Sequence, residues 1–260
     1  MEIDLPSGSG LHVTVDGAVA TVLLDRPDRL NAQTPRMWAG LRAAGAALPS
    51  TVRVVVVRAA GASFSAGLDK AMFSPGGLPG TPSLADLATM PEDEAADSIE
   101  EFQAAFGWLA RADIVSIAAV QGHAVGAGFQ LALACDLRVL TEDAQLTMAE
   151  VPLGLVPDLG GTRRLIELIG YSRALEICVT GRRIGATEAD RIGLANRVIP
   201  AEQLSAAVDE LVQAVLKPPV AAVRETKSLL LEAAARSQLE QERAERVAQV
   251  RRMRALLSGE

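Results

Sequence analysis

An α/β fold with a parallel or mixed sheet is predicted by three features of the 260-residue chain. Short β-branched or apolar runs occur at 51–58 and 114–120, with the VVVV of the first suited to a strand buried on both faces. Small-residue, glycine-rich loops follow these runs directly, where α/β folds place ligand contacts. Stretches with apolar residues three and four apart separate them and read as helices.

In order, 11–16 (LHVTVD) and 18–25 (AVATVLLD) form a β-hairpin turning at Asp16-Gly17. The prolines and Asn31 of 25–35 make a loop, after which Thr34 caps a helix with Pro35 at its first position, running to about Leu48. The loop GASFSAGLDK at 61–70 leads to a Gly-, Pro- and Ser-rich stretch at 74–91, expected to be a flexible lid. A helix is expected over 92–112, with Glu92, Asp93 and Glu94 at its positive end. The strand at 114–120 opens into VQGHAVGAGFQLALACD at 120–136, with a helix start near Gly126. Short strands at 136–141 and 145–147 come next. Pro152 and Pro157 keep 149–159 out of helix, and Gly160-Gly161 precede an amphipathic one. Helices at 171–180 and 187–192, a strand at 194–199, and helices at 202–216 and 220–256 separated by Pro218-Pro219 complete the chain.

Composition excludes several function classes. With 49% hydrophobic residues the chain can bury a sizeable core, and a net charge of -7 opposes nonspecific binding to nucleic acid or an anionic membrane. Aromatics at 3% leave no platform for stacking bases. No apolar run reaches the roughly 20 residues of a membrane span, and MEIDLPSGSG does not read as a signal peptide, so a cytoplasmic protein is expected. Cys135 and Cys178 are isolated within apolar patterns and read as buried thiols, and His12 and His123 are too few and too distant for a metal site. His123 reads as a packing residue. The charged run 240–254 reads as solvated or ion-paired surface.

The chemistry is concentrated in 120–136. A helix beginning near Gly126 presents first-turn N–H groups without intrahelical partners, and the macrodipole adds partial positive charge there, so the backbone alone makes an anion site.

Four segments, in order, resemble the crotonase (enoyl-CoA hydratase/isomerase) superfamily: FSAGLDK at 64–70, GHAVGAGFQLALACDLR at 122–138, AEVPLGLVPDLGGTRRL at 149–165 and TGRRIGATEADRIGLANRVIP at 180–200. The resemblance implies a ββα spiral core over 1–200 carrying an acyl-CoA site, C-terminal helices at 201–260 for packing and oligomerisation, and a trimer or dimer of trimers. It implies an acyl thioester of coenzyme A as substrate and no separate cofactor. Backbone N–H groups of Leu68 and Ala127 would hold the thioester oxygen as it gains negative charge, with Gly126 and Gln130 lining the site. Preorganised donors of this kind contribute on the order of 3 kcal/mol each. Arg26, Ala66, Asp69 and Lys70 would lie along the coenzyme A path. The chain carries no recognisable version of the final segment that covers coenzyme A in family members.

The carboxylates depart from the hydratase pattern. That branch has a glutamate where this chain has Gln130, and an amide cannot exchange a proton near neutral pH. Glu150 matches the branch's second glutamate. Asp158, eight residues on, resembles the dienoyl-CoA isomerase branch, although that branch has an aspartate in place of Gln130. Beside Pro157 and ahead of Gly160, Asp158 also reads as a turn-former. The expected activity is a double-bond shift in an enoyl- or dienoyl-CoA, with Glu150 as acid/base and Asp158 as second proton carrier. The alternatives are hydration of 2-enoyl-CoA by Glu150 with Gln130, and acyl-CoA binding without turnover.

Overall fold

The computed structural model describes residues 1–74, 76–78 and 81–258. The hairpin forms from β1 (Leu11–Asp16) and β2 (Val19–Leu24), with Gly17 at φ +55°, a conformation that favours glycine. Thr34 Oγ accepts from Met37 N at 3.1 Å and Pro35 opens α1 (Pro35–Ala47), so cap and first residue are as expected. β3 (Val54–Ala59) follows, then α2 (Leu84–Thr89), α3 (Glu92–Gly107), β4 (Val115–Val120), β5 (His123–Val125) and α4 (Ala127–Ala134). After these come β6 (Leu137–Thr141), β7 (Gln145–Thr147), α5 (Gly161–Ile169), α6 (Tyr171–Thr180), β8 (Arg183–Gly185), α7 (Ala186–Arg191) and β9 (Arg197–Ile199). Three helices close the chain: α8 (Leu204–Leu216), α9 (Val220–Glu232) and α10 (Gln238–Ser258).

Six strands pair in the order β1-β2-β3-β4-β6-β9, antiparallel at the hairpin and parallel thereafter. A three-stranded sheet, β5-β7-β8, stands beside them. The chain passes from one sheet to the other at Gly122, whose φ of +56° and contact with Ala62 O leave no room for a side chain. The valine run of β3 is buried on both faces, as predicted: Val55 and Val57 join the main core, while Val54 and Val56 pack with Val208 and Val212 of α8. Among the described residues no helix is long and apolar enough to cross a membrane.

Several expectations are corrected. The segment 74–91 carries α2, nucleated by a reciprocal cap in which Ser83 Oγ accepts from Asp86 N and Asp86 accepts from Ser83 N. Pro75, Pro79 and Gly80 of the expected lid lie outside the described residues. The helix expected over 220–256 is two, because Arg236 turns extended (ψ 148°) and Ser237 with Glu240 starts a new helix through Ser237 N→Glu240 Oε2 at 2.8 Å. The strand expected from Leu194 begins at Arg197, because the N–H groups of Leu194 and Ala195 both bond to Ala189 O. His123 points to solvent from β5 instead of packing, and Cys178 is half-buried where Cys135 is fully so.

Candidate active site

The loop after β3 is built by buried polar groups, of which the sequence marks Asn31 as a loop residue and leaves Gln33 and Ser65 without a signal. Asn31 sits at φ +54°, a region asparagine tolerates better than most residues, and its amide donates to Ala60 O and Ser63 O at 2.8 Å each. Ser65 Oγ donates to Asn31 O at 2.8 Å and accepts from Gln33 Nε2, whose Oε1 in turn accepts from Trp38 Nε1 at 2.8 Å. The recoverable signal was an asparagine among prolines.

This network sets the two backbone donors. Gln33 N donates to Gly67 O at 2.7 Å and Asp69 N donates to Gln33 O at 2.8 Å, which turns the intervening Leu68 N–H to the opposite edge. Between β5 and α4, Gly126 N donates to Thr147 O and Gly126 O accepts from Gln130 N, leaving Ala127 N–H at the start of α4. Neither the Leu68 nor the Ala127 N–H has an acceptor among the described residues. The loops approach closely because Gly67 has no side chain: a Cβ there would lie 2.5 Å from Val125 O and 3.7 Å from Ala127 N. Gly126 adopts φ 50°, ψ -117°, which only glycine holds without strain.

Beside Gly126 stands Glu150, whose Oε1 would be 3.2 Å from a Cβ added to Gly126. Glu150 Oε1 accepts from Gln130 Nε2 at 2.8 Å, and its buried Oε2 has no hydrogen-bond partner among the described residues. Burial pushes the Glu150 carboxyl above its ordinary value, and the negative charge of Asp158 adds to the rise against the opposing influence of the Glu150 main-chain N–H, the Gln130 amide and the Ala149 N–H. Asp158 is also pushed up by burial. Its main-chain carbonyl is held by Gln103 Nε2 of α3 at 2.6 Å, a contact not foreseen. The Cys178 thiol of α6 is raised by burial and by Glu150.

Gln130, expected to line the site, is 1% exposed and reaches Glu150 with its amide nitrogen. Its Oε1 accepts from Leu159 N at 2.9 Å and Gly161 N at 3.2 Å, so the side chain is engaged at both ends. Of the residues expected near coenzyme A, Arg26 and Asp69 are paired with each other at 3.0 Å, and Arg26 Nη1 also donates to Ala32 O. Burial opposes ionisation of Asp69, but the Ala71 N–H and Arg26 outweigh it and hold its carboxyl below the usual range. Ala66 N donates to Leu30 O, and Lys70 is exposed. Two free backbone donors beside a buried, partly unpartnered carboxylate suit chemistry in which an acyl oxygen gains charge as a proton moves on an adjacent carbon.

The enoyl-CoA hydratase/isomerase family model matches residues 14–255. The chain belongs to that family. A candidate enoyl-CoA hydratase of Thermobifida fusca YX, solved in complex with CoA, is 50% identical and superposes with a TM-score of 0.90 over 96% of this chain and 95% of that one. The same protein with acetoacetyl-CoA superposes equally well, at 0.90 over 94% and 95%. The probable enoyl-CoA hydratase of Rhizobium meliloti (strain 1021) is 35% identical over 198 residues, 75% of this chain and 70% of the relative. The enoyl-CoA hydratase/isomerase fold thus accounts for the two sheets and the helices around them.

Proposed function

We propose that this family member shifts a double bond in an enoyl- or dienoyl-CoA. Glu150 takes a proton from the carbon next to the thioester carbonyl, or from its vinylogous position, and the electron pair moves onto the thioester oxygen. The N–H groups of Leu68 and Ala127 receive that oxygen. The proton then returns at the other end of the allylic system, from Glu150 or, in a longer shift, from Asp158. The observation that carries this reading is the division of labour beside Gly126: Glu150 keeps a free, buried Oε2, while Gln130 is bonded at both ends and has no proton to exchange.

Substrate binding rests on the same resemblance. The Thermobifida fusca structures contain CoA and acetoacetyl-CoA, and we place the coenzyme A of the substrate along Ala66, Lys70 and the Arg26–Asp69 pair, with no further cofactor. We also propose a trimer or dimer of trimers, a reading supported by exposed apolar residues on α10, with Leu239 at 76%, Leu256 at 71% and Leu257 at 90% exposure.

A second reading, hydration of 2-enoyl-CoA, is favoured by the hydratase names of the relatives. With one carboxylate and one amide it should run on the order of 10²-fold below a two-carboxylate site. The purified protein offered 3-enoyl-, 3,5-dienoyl- and 2-enoyl-CoA separates these readings by product mass. An isomer of unchanged mass is expected, and efficient gain of one water on 2-enoyl-CoA without isomer would overturn the proposal.

A further inference from the structure

Every polar atom of the Gln130 side chain meets a group whose identity dictates the amide's orientation. Two neighbours, Leu159 N and Gly161 N, are main-chain donors and can only meet the carbonyl oxygen, at 2.9 and 3.2 Å. The NH₂ end is therefore forced toward Glu150, where it donates to Oε1 at 2.8 Å. Gly161 gives the space for this arrangement, since a Cβ there would lie 2.8 Å from Gln130 Cγ and 3.0 Å from its Oε1. A side chain 1% exposed with three such bonds has no alternative rotamer of similar energy.

We propose that Gln130 is a positioning residue that assigns different work to the two oxygens of Glu150: Oε1 is fixed as a permanent acceptor and Oε2 alone carries the proton. The turn at 159–161 thereby sets the orientation of a carboxylate to which it makes no bond of its own. The groups facing Glu150 are Gln130 from α4, Asp158 from the segment ahead of α5, and the Cys178 thiol from α6. Among these side chains only Gln130 donates a hydrogen bond to the carboxylate, and together with the main-chain N–H groups of Glu150 and Ala149 it favours the ionised form against burial and the Asp158 charge. The inference rests on Glu150 as the proton carrier but not on whether the reaction is isomerisation or hydration.

The discriminating variant is Gln130→Glu. A carboxylate oxygen can still accept from Leu159 N and Gly161 N, so the turn keeps its bonds, but an acceptor replaces the donor facing Glu150 Oε1. The two carboxylates must then share a proton and titrate as a coupled pair. Carbon-13 NMR of protein labelled at the glutamate carboxyl carbons, assigned by difference with Glu150→Gln, reads this without turnover. Wild type is expected to show one Glu150 step, and Gln130→Glu two steps, the upper raised by about one pH unit or more. The acid limb of kcat on the enzyme's own substrate should move upward by the same amount, with KM changed less than about twofold. An unaltered Glu150 titration in a folded Gln130→Glu protein would reduce Gln130 to a support for the turn and overturn the inference. Wild type supplies an independent check if that variant does not fold: the side-chain amide resonances of Gln130 should shift with the Glu150 midpoint and lose this response in Glu150→Gln. Amide resonances indifferent to Glu150 would likewise overturn it. Loss of isomerase activity from the assays above, with these titrations intact, would count against the reaction and not against the positioning role.

Discussion

Glu150 combines partial burial, one hydrogen bond to Oε1 and an unpartnered Oε2, with the charge of Asp158 nearby. Replacing it by glutamine should lower kcat on the reactive acyl-CoA by about 10² to 10⁴ with little change in binding, measured by steady-state kinetics and by calorimetry with a nonreactive acyl-CoA. Asp158→Asn removes one of the influences raising Glu150, so the acid limb that reports Glu150 should move to lower pH. The same shifts bear on stability. Both carboxyls are raised in the folded state, so the contribution they make is present below the ordinary carboxylate range and is lost as pH rises through their folded values. Near neutral pH the folded protein therefore carries an unfavourable term at this site. Glu150→Gln and Asp158→Asn should each raise the melting temperature at about pH 7–8, a gain that fades near pH 4. A constant gain across that range, measured by calorimetry, would show that packing and not ionisation is responsible. Of these features the sequence offered the identities of the carboxylates and of Gln130, but neither the free oxygen nor the amide's orientation. Those depend on which groups the turn at 159–161 presents.

The elements around the site are held at short range by glycines and at long range by buried ions. Gly67→Ala would force a Cβ to within 2.5 Å of Val125 O at a φ of +86°, and relief must separate the loop that carries Leu68 from the start of α4 that carries Ala127. The expected loss in kcat is about 10²- to 10³-fold, the effect of misplacing one oxyanion donor. At the far end of α4, Asp136 Oδ2 accepts from Ser116 N and Oγ and from Lys227 Nζ at 2.6 Å, and Lys227 also donates to Ile114 O. This pair ties α9 to β4 and the end of α4, with side chains only 10% and 16% exposed. Lys227→Met leaves Asp136 buried without its cation and should cost about 3 kcal/mol of unfolding free energy in urea titrations. A cost below about 0.5 kcal/mol would place the pair among solvated surface bridges. Helix starts such as Thr34-Pro35 are readable in sequence because a cap is a local arrangement. The Ser237 to Glu240 cap was equally local, but it was masked by helical spacing that continues on either side of it.

For the molecule as a whole, the six-stranded sheet is covered on one face by the main core and on the other by α8, while α10 packs on α9 and exposes apolar side chains. If α10 contributes to the proposed assembly, replacing Leu256 and Leu257 together by glutamate should lower the mass seen by analytical ultracentrifugation. An unchanged mass would remove that surface from the interface. The α/β class, the hairpin, the doubly buried β3 and the helix start after Gly126 were all present in the residue pattern, since periodicity, β-branching, proline and glycine act on neighbours along the chain. The pairing of Arg26 with Asp69, the clamp on Gln130 and the free oxygen of Glu150 were not. Their partners lie 43, 20, 29 and 31 residues apart, and a contact at such separations exists only after two sheets and the helices between them have packed. Membership of the family is therefore written in local patterns, whereas the proton-carrying arrangement is a product of the folded core.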